Sequence, residues 1–253
     1  TLTSSGLLTN AAGGELTNFG TLDNNIGSEL NNSGRLAILT GSLNNYGTIN
    51  NRGSVANGTD GTFNNNGILN NEVGGYVGNG LLFNNNGIYN NEAGGDIGNT
   101  GTLNNNNTLN NSGLINNDIV GTLNNNGTLN NETGSNFANG GTLNNNDGSE
   151  LNNTGRLVNQ IGTLNNHGTI NNDAQGTQVL YNSNTLNNTG TLNNTGRVNN
   201  DVGGTFNNTG TINNKTGSAF ATNGTLINEA GGILNNSGRL TNNGTLTNDG
   251  TLI

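Results

Sequence analysis

Apolar residues recur on a period close to twenty from one end of the chain to the other. Leu2, Leu22, Leu43, Phe63, Phe83, Leu103, Leu123, Leu143, Leu164, Leu186, Phe206, Leu226 and Leu246 follow one another at steps of 20, 21 or 22 residues. Self-similarity at a fixed period of this size marks a solenoid, in which each repeat buries its apolar face only against its neighbours. Two further columns lie inside the same period. One runs Leu8, Leu30, Ile49, Leu69, Tyr89, Leu109, Leu129, Leu151, Ile170, Leu192, Ile212, Leu234, Leu252. The other runs Leu16, Leu36, Val55, Val77, Ile97, Ile115, Phe137, Leu157, Val179, Val198, Phe220, Leu240. Marks within a period are mostly 6 residues apart, with one interval of 8 that moves between the three sides. The pattern predicts an all-β parallel β-helix (a β-solenoid) over residues 1–253, a single domain of about twelve triangular coils, each with three short strands. Two-residue expansions such as Glu72-Val73-Gly74-Gly75 or Gly148-Ser149-Glu150 are accommodated at the corners, where Gly supplies the positive φ of a widened turn.

The unit is Thr-Leu-Asn-Asn-x-Gly, as in Thr122 to Gly127. Strand alternation sends Leu inward and the flanking Thr and first Asn outward. The second Asn, two residues after the apolar mark, recurs in nearly every coil of the first two columns, from Asn24 to Asn248 and from Asn10 to Asn236. It is expected to be structural, either taking a left-handed corner conformation or stacking its amide along the axis as a ladder. At one inter-strand spacing per coil, twelve coils predict a rod of roughly 58 Å. No amphipathic segment caps either end, so the expectation is a longer parent chain or end-to-end self-association of copies, with Thr1 already inside the repeat.

Composition alters this picture in one respect. Only 28% of residues are hydrophobic and 8% charged, which without the periodicity would read as disorder. Here the few apolar residues stand where a core one side chain deep needs them. Pro is absent, as suits a chain whose amides are committed to ladders. Cys is absent, which excludes disulfides and thiolate chemistry. Net charge is −9 with six basic residues, so nucleic acid is not an expected partner, and no apolar run is long enough for a transmembrane segment.

The phrases from Gly121 to Glu132 and from Gly190 to Asp201 resemble the repeat regions of filamentous haemagglutinins and autotransporter passenger domains. The resemblance covers nearly the whole chain. It implies a right-handed parallel β-helix on an extracellular or cell-surface bacterial fibre, an adhesin-type structural protein. The hexapeptide also resembles that of left-handed acyltransferase helices, but those use 18-residue coils and a His-bearing loop, both missing here.

Candidate chemistry is sparse, and the chain is not expected to be an enzyme. His167, the one His, stands at a variable corner with no Cys or second His to join it in a metal site. Glu72 and Glu92 share an offset in successive coils, about 5 Å apart by strand spacing, within range of a two-carboxylate mechanism; solvated corner residues are the simpler reading. No cofactor is implied. The candidate lateral binding face is the Thr-x-Asn array of Thr62, Asn64, Thr102, Asn104, Thr122, Asn124, Thr142, Asn144, Thr163 and Asn165. It resembles the Thr arrays of ice-binding solenoids and is the alternative to a structural role, with ice, a glycan or another surface ligand as its partner. The inward assignment of the first column has a direct check. Leu123→Asp should lower the stability measured by chemical denaturation by several kcal/mol, because it places an unpaired charge in the core; an unaffected variant would refute the assignment.

Overall fold

The computed structural model describes residues 1–253. Every regular element is a strand, most of them four residues long, all paired in parallel, and the chain winds through about thirteen turns rather than twelve. No helix is long and apolar enough to cross a membrane. The turns form two compact units, Thr1–Asn124 and Asn125–Ile253.

In the first unit the three columns stack in register. Leu22, Leu43, Phe63, Phe83 and Leu103 pair one above another, as do Leu30, Ile49, Leu69, Tyr89 and Leu109, and Leu36, Val55, Val77, Ile97 and Ile115. Their side chains are 0–1% exposed. Second-column strands keep a sheet of their own. The first and third columns share one sheet, because strands Arg35–Asn45 and Ser54–Asn65 run straight through the corner between them. The second unit repeats the arrangement, with Leu143, Leu164, Leu186, Phe206 and Leu226 in one column and Leu151, Ile170, Leu192 and Ile212 in another.

One mark of the third column falls elsewhere than the spacing predicts. Leu180, not Val179, pairs with Leu157 below and Val198 above. The preceding corner is the longest in the unit, with Gly176 at φ +64°, and it shifts the inward position by one residue. The other expanded corners follow a readable rule. Gly27, Gly74, Gly94, Gly134, Gly148, Gly203, Gly217 and Gly231, each third of four corner residues, take φ between +77° and +89°. The fourth residue is Gly or Ser. At Gly75 a Cβ would lie 2.5 Å from Asn71 Oδ1; where Ser28, Ser135, Ser149 or Ser218 stands instead, its hydroxyl donates to the corresponding Asn Oδ1 at 2.7–2.8 Å. The corner Asp118–Gly121 has no Gly in third place and no positive φ; there Asp118 Oδ1 accepts from the Ile119 N–H at 2.7 Å.

No residue other than Gly has positive φ, so the inward Asn does not serve as a left-handed corner. It is a buried amide ladder. Asn45, Asn65 and Asn85 each donate to Oδ1 of the next Asn, toward the C-terminus, at 2.7–2.8 Å. The second N–H of each goes to a main-chain carbonyl one turn ahead: Ile68, Ile88 and Thr108 at 2.7–2.9 Å. Corner backbone amides donate the other way, Asn66 N–H to Asn45 O and Asn86 N–H to Asn65 O, both at 2.7 Å. Each corner is thus stitched to both neighbours. A third such ladder, absent from the sequence expectation, runs in the third column through Asn57, Asn79, Asn99 and Asn117 in the first unit, and through Asn139, Asn159, Asn182 and Asn200 in the second. It is interrupted by Ile38, in the straightened strand Arg35–Asn45, and Asn57 Oδ1 is left without a donor. At Thr222 it changes partner, the hydroxyl accepting from Asn200 at 3.1 Å.

The ladder makes one substitution series decisive. Asn85→Ala removes the acceptor of Asn65 and the donor to Asn105, and should lower stability by about 2–4 kcal/mol, since each buried group left unpaired costs about 1–3; Asn85→Thr, which keeps an acceptor, should cost less in urea unfolding. The core holds a second diagnostic. Phe63 and Phe83 stack at 4.4 Å, Phe83 lies against Tyr89 at 5.3 Å, and the Tyr89 hydroxyl is fully buried with no partner. Tyr89→Phe should therefore stabilise the protein by about 1–2 kcal/mol. Burial, and secondarily the charge of Tyr76, raises the Tyr89 pKa well above 10.0. Above pH 10 the unfolded Tyr89 ionises while the folded one stays neutral, so the wild type should lose stability with rising alkalinity more steeply than Tyr89→Phe.

Candidate functional site

Three faces are available for function, and they differ in chemistry. On the first, strand alternation points Thr and the first Asn outward. Thr62, Asn64, Thr102, Asn104, Thr122 and Asn124 of the first unit, and Thr142, Asn144, Thr163 and Asn165 of the second, are all half-buried on that side. Their amides form a ladder of their own, opposite in direction to the inner one. Asn124 donates to Asn104, Asn104 to Asn84, Asn84 to Asn64 and Asn64 to Asn44, each at 2.9 Å; Asn165 donates to Asn144 at 2.9 Å. The second face carries the same device, through Asn110, Asn90, Asn70 and Asn50 in the first unit and Asn213, Asn193, Asn171 and Asn152 in the second. Both faces are regular, uncharged along most of their length, and occupied in bonding to themselves.

The carboxylate pair considered from the sequence has a different partner. Glu72 forms an ion pair with Arg52, on the strand-end corner one turn below. Arg35 is likewise paired, with Glu15. His167 is exposed, its Nδ1 2.7 Å from Thr189 Oγ1. No three His, Cys, Asp or Glu side chains converge on a common point.

The third face lacks an outer Asn ladder and falls outside the Thr-x-Asn array expected from the sequence. Its outward floor residues are small or varied: Ala56, Gly78, Gly98 and Asn116 in the first unit, Ala138, Val158, Tyr181, Asn199 and Ala221 in the second. The floor is consequently recessed. In the first unit a hollow of about 280 Å³ opens beside Tyr76, whose ring lies over Gly78 and Gly98, with Asp118 at its rim. In the second unit two hollows follow, of about 480 Å³ and 380 Å³. Arg156, Gln160, Ser183 and Asp201 edge the first; Arg197, Arg239, Asn223 and Asn243 edge the other. The Tyr181 hydroxyl donates to Asp201, and that hydrogen bond, with some burial, raises the Tyr181 pKa. The signal in the sequence was the residue two before each floor position, which is Thr on most turns of the other faces and here becomes Arg156, Arg197 or Arg239.

No protein-family model and no curated protein sequence matches the chain. Among solved structures it is similar to the TibC-catalysed hyper-glycosylated fragment of TibA, with 15% sequence identity, a TM-score of 0.33, and coverage of 100% of this chain and 99% of that one.

Proposed function

We propose that the chain is a structural and adhesive segment of an extracellular fibre at a bacterial cell surface, acting through stiffness and repetition, with no catalytic activity of its own. The observation that supports this best is the continuity of bonding along the axis inside each unit. Backbone pairing, inner amide ladders and outer amide ladders all run from turn to turn, and the interior is polar and apolar in alternate, self-matching columns. An array of this kind resists extension because every turn is held to the next by many bonds in parallel.

The ladders have a direction: inner amides donate toward the C-terminus, outer ones toward the N-terminus. Any continuation, whether further turns of the same polypeptide or a second copy, must therefore be head to tail to present acceptors to donors. In this reading copies join end to end into filaments. Negative-stain microscopy of the purified chain at rising concentration should show filaments lengthening by addition along one axis; short monodisperse particles at every concentration would remove self-assembly from the proposal.

A further inference from the structure

Three of the second unit's four basic residues stand in a row; the fourth, Lys215, lies on the corner after the second-column strand Thr211–Asn214. Arg156, Arg197 and Arg239 all open strands of the third column, and all three are exposed. The pairing sequence is Arg156, Val179, Arg197, Ala219, Arg239, so the three guanidinium groups stand on alternate turns. Two inter-strand spacings separate neighbours, about 9–10 Å. Unlike Arg35 and Arg52, none of the three meets a carboxylate. Their partners are neutral: Asn136 Oδ1 at 3.0 Å, the Gly176 carbonyl at 2.7 Å and Thr241 Oγ1 at 3.1 Å. The row flanks the two hollows of the second unit, which follow one another along the axis and together make up the trough. The floor is Ala138, Val158, Tyr181, Asn199 and Ala221, and the opposite wall carries the polar residues Gln160, Ser183, Asn223 and Asn243. Of the unit's acids, Asp147, Glu150, Glu229 and Asp249 lie on the second face and its corner with the first. Glu132 and Asp173 stand on the corner between the second and third faces, where Asp173 Oδ1 accepts from Gln175 and Thr195, and Asp201, on the opposite wall, is held by Tyr181.

We infer that this trough binds a linear anionic polysaccharide laid along the axis, with an acidic group on every second sugar. An extended pyranose chain advances by roughly one strand spacing per sugar, so a carboxylate on alternate sugars meets Arg156, Arg197 and Arg239 in turn. A guanidinium is suited to such a contact, since its fork of donors matches a carboxylate and it stays charged at all relevant pH. The half-buried floor residues Ala138, Tyr181, Asn199 and Ala221 face the sugar rings, Val158 being covered by its neighbours, and the amides and hydroxyls of the far wall face the neutral hydroxyls. The site is independent of whether copies of the chain join end to end.

The probe is a hyaluronan decasaccharide, which alternates an acidic with a neutral sugar, titrated into the full chain by calorimetry. A cello-oligosaccharide of equal length serves as the neutral control and polyphosphate as the undirected polyanion. Hyaluronan should bind with an affinity that falls as salt rises, and the other two should bind at least tenfold more weakly. The triple variant R156Q/R197Q/R239Q should lose about 10- to 100-fold, the product of three exposed charge contacts. R35Q/R52Q, which removes as many charges as any two of them, should change affinity by less than about twofold. Moving one charge by a single rung tests the register: R197Q/A219R keeps the net charge but should bind no better than R197Q alone. The inference is overturned if hyaluronan fails to bind at low salt, if the triple variant with unchanged circular dichroism binds as well as wild type, if R197Q/A219R restores affinity, or if polyphosphate binds as tightly through the same arginines.

Discussion

The buried asparagine amide is the group on which the rest of the structure depends. An amide taken out of water without partners costs several kcal/mol, and the short same-turn bonds to Gly carbonyls or Ser hydroxyls satisfy only part of it in most turns. The turns above and below do. Asn85, for example, accepts from Asn65 and donates both to Asn105 Oδ1 and to the Thr108 carbonyl. Full satisfaction is therefore a property of the stack, and a turn removed from its neighbours would lose the amide-to-amide bonds of all three columns. This couples adjacent turns more tightly than apolar packing alone, and it explains how a chain with 28% hydrophobic residues holds a fixed interior. Half of that interior is polar and saturates itself. The break at Ile38 supports the same account. Where strand Arg35–Asn45 runs straight through its corner, the main chain pairs as a strand, and the position turns apolar.

Because the constraint acts between identical positions, the sequence carries it as repetition, and most of the fold could be read there. The columns led by Leu22 and Leu30 and the Asn two residues after each mark are as expected from alternation and period. The third ladder was harder to see because its Asn residues follow Ala56, Gly78, Gly98 or Ala138 instead of a second Asn; the offset from the apolar mark is unchanged, but the familiar dipeptide is missing. The error at Val179 has another origin. Corner length is free to vary, since a corner faces solvent and needs only its backbone bonds, so counting residues across Asp173–Val179 gives the wrong phase while the pairing of Leu157 with Leu180 gives the right one. Corners with Gly in third place announce themselves; Asp118–Gly121 does not, because a side-chain acceptor has taken over what backbone freedom does elsewhere.

Function was less legible for a related reason. Regularity draws attention to the Thr-x-Asn array, yet regularity is what allows those amides to bond to one another, as Asn84 does to Asn64 and Asn104 to Asn84. A self-saturated face has fewer free donors and acceptors to offer a ligand. The arginines without a carboxylate partner break the repeat and stand on the third face, where small floor residues leave room above them. In the first unit its guanidinium, on Arg35, is already neutralised by Glu15. In the second, Arg156, Arg197 and Arg239 are held only by neutral oxygens.

The two kinds of surface place opposite demands on the same backbone. A stiff fibre element needs every turn to match the next, and the ladders impose that match. A ligand site needs differences between turns, which the ladders penalise wherever they reach. The third face reconciles the two because its ladder is only on the inside: the inner Asn139, Asn159, Asn182 and Asn200 keep the turns in register, while the outward Ala138, Val158, Tyr181 and Asn199 are free to vary without unpairing anything buried. The fixed rise per turn then becomes a ruler, since substitutions on that face can place charge only at multiples of one strand spacing. A polymer whose own repeat matches that spacing is the kind of partner such a ruler can measure.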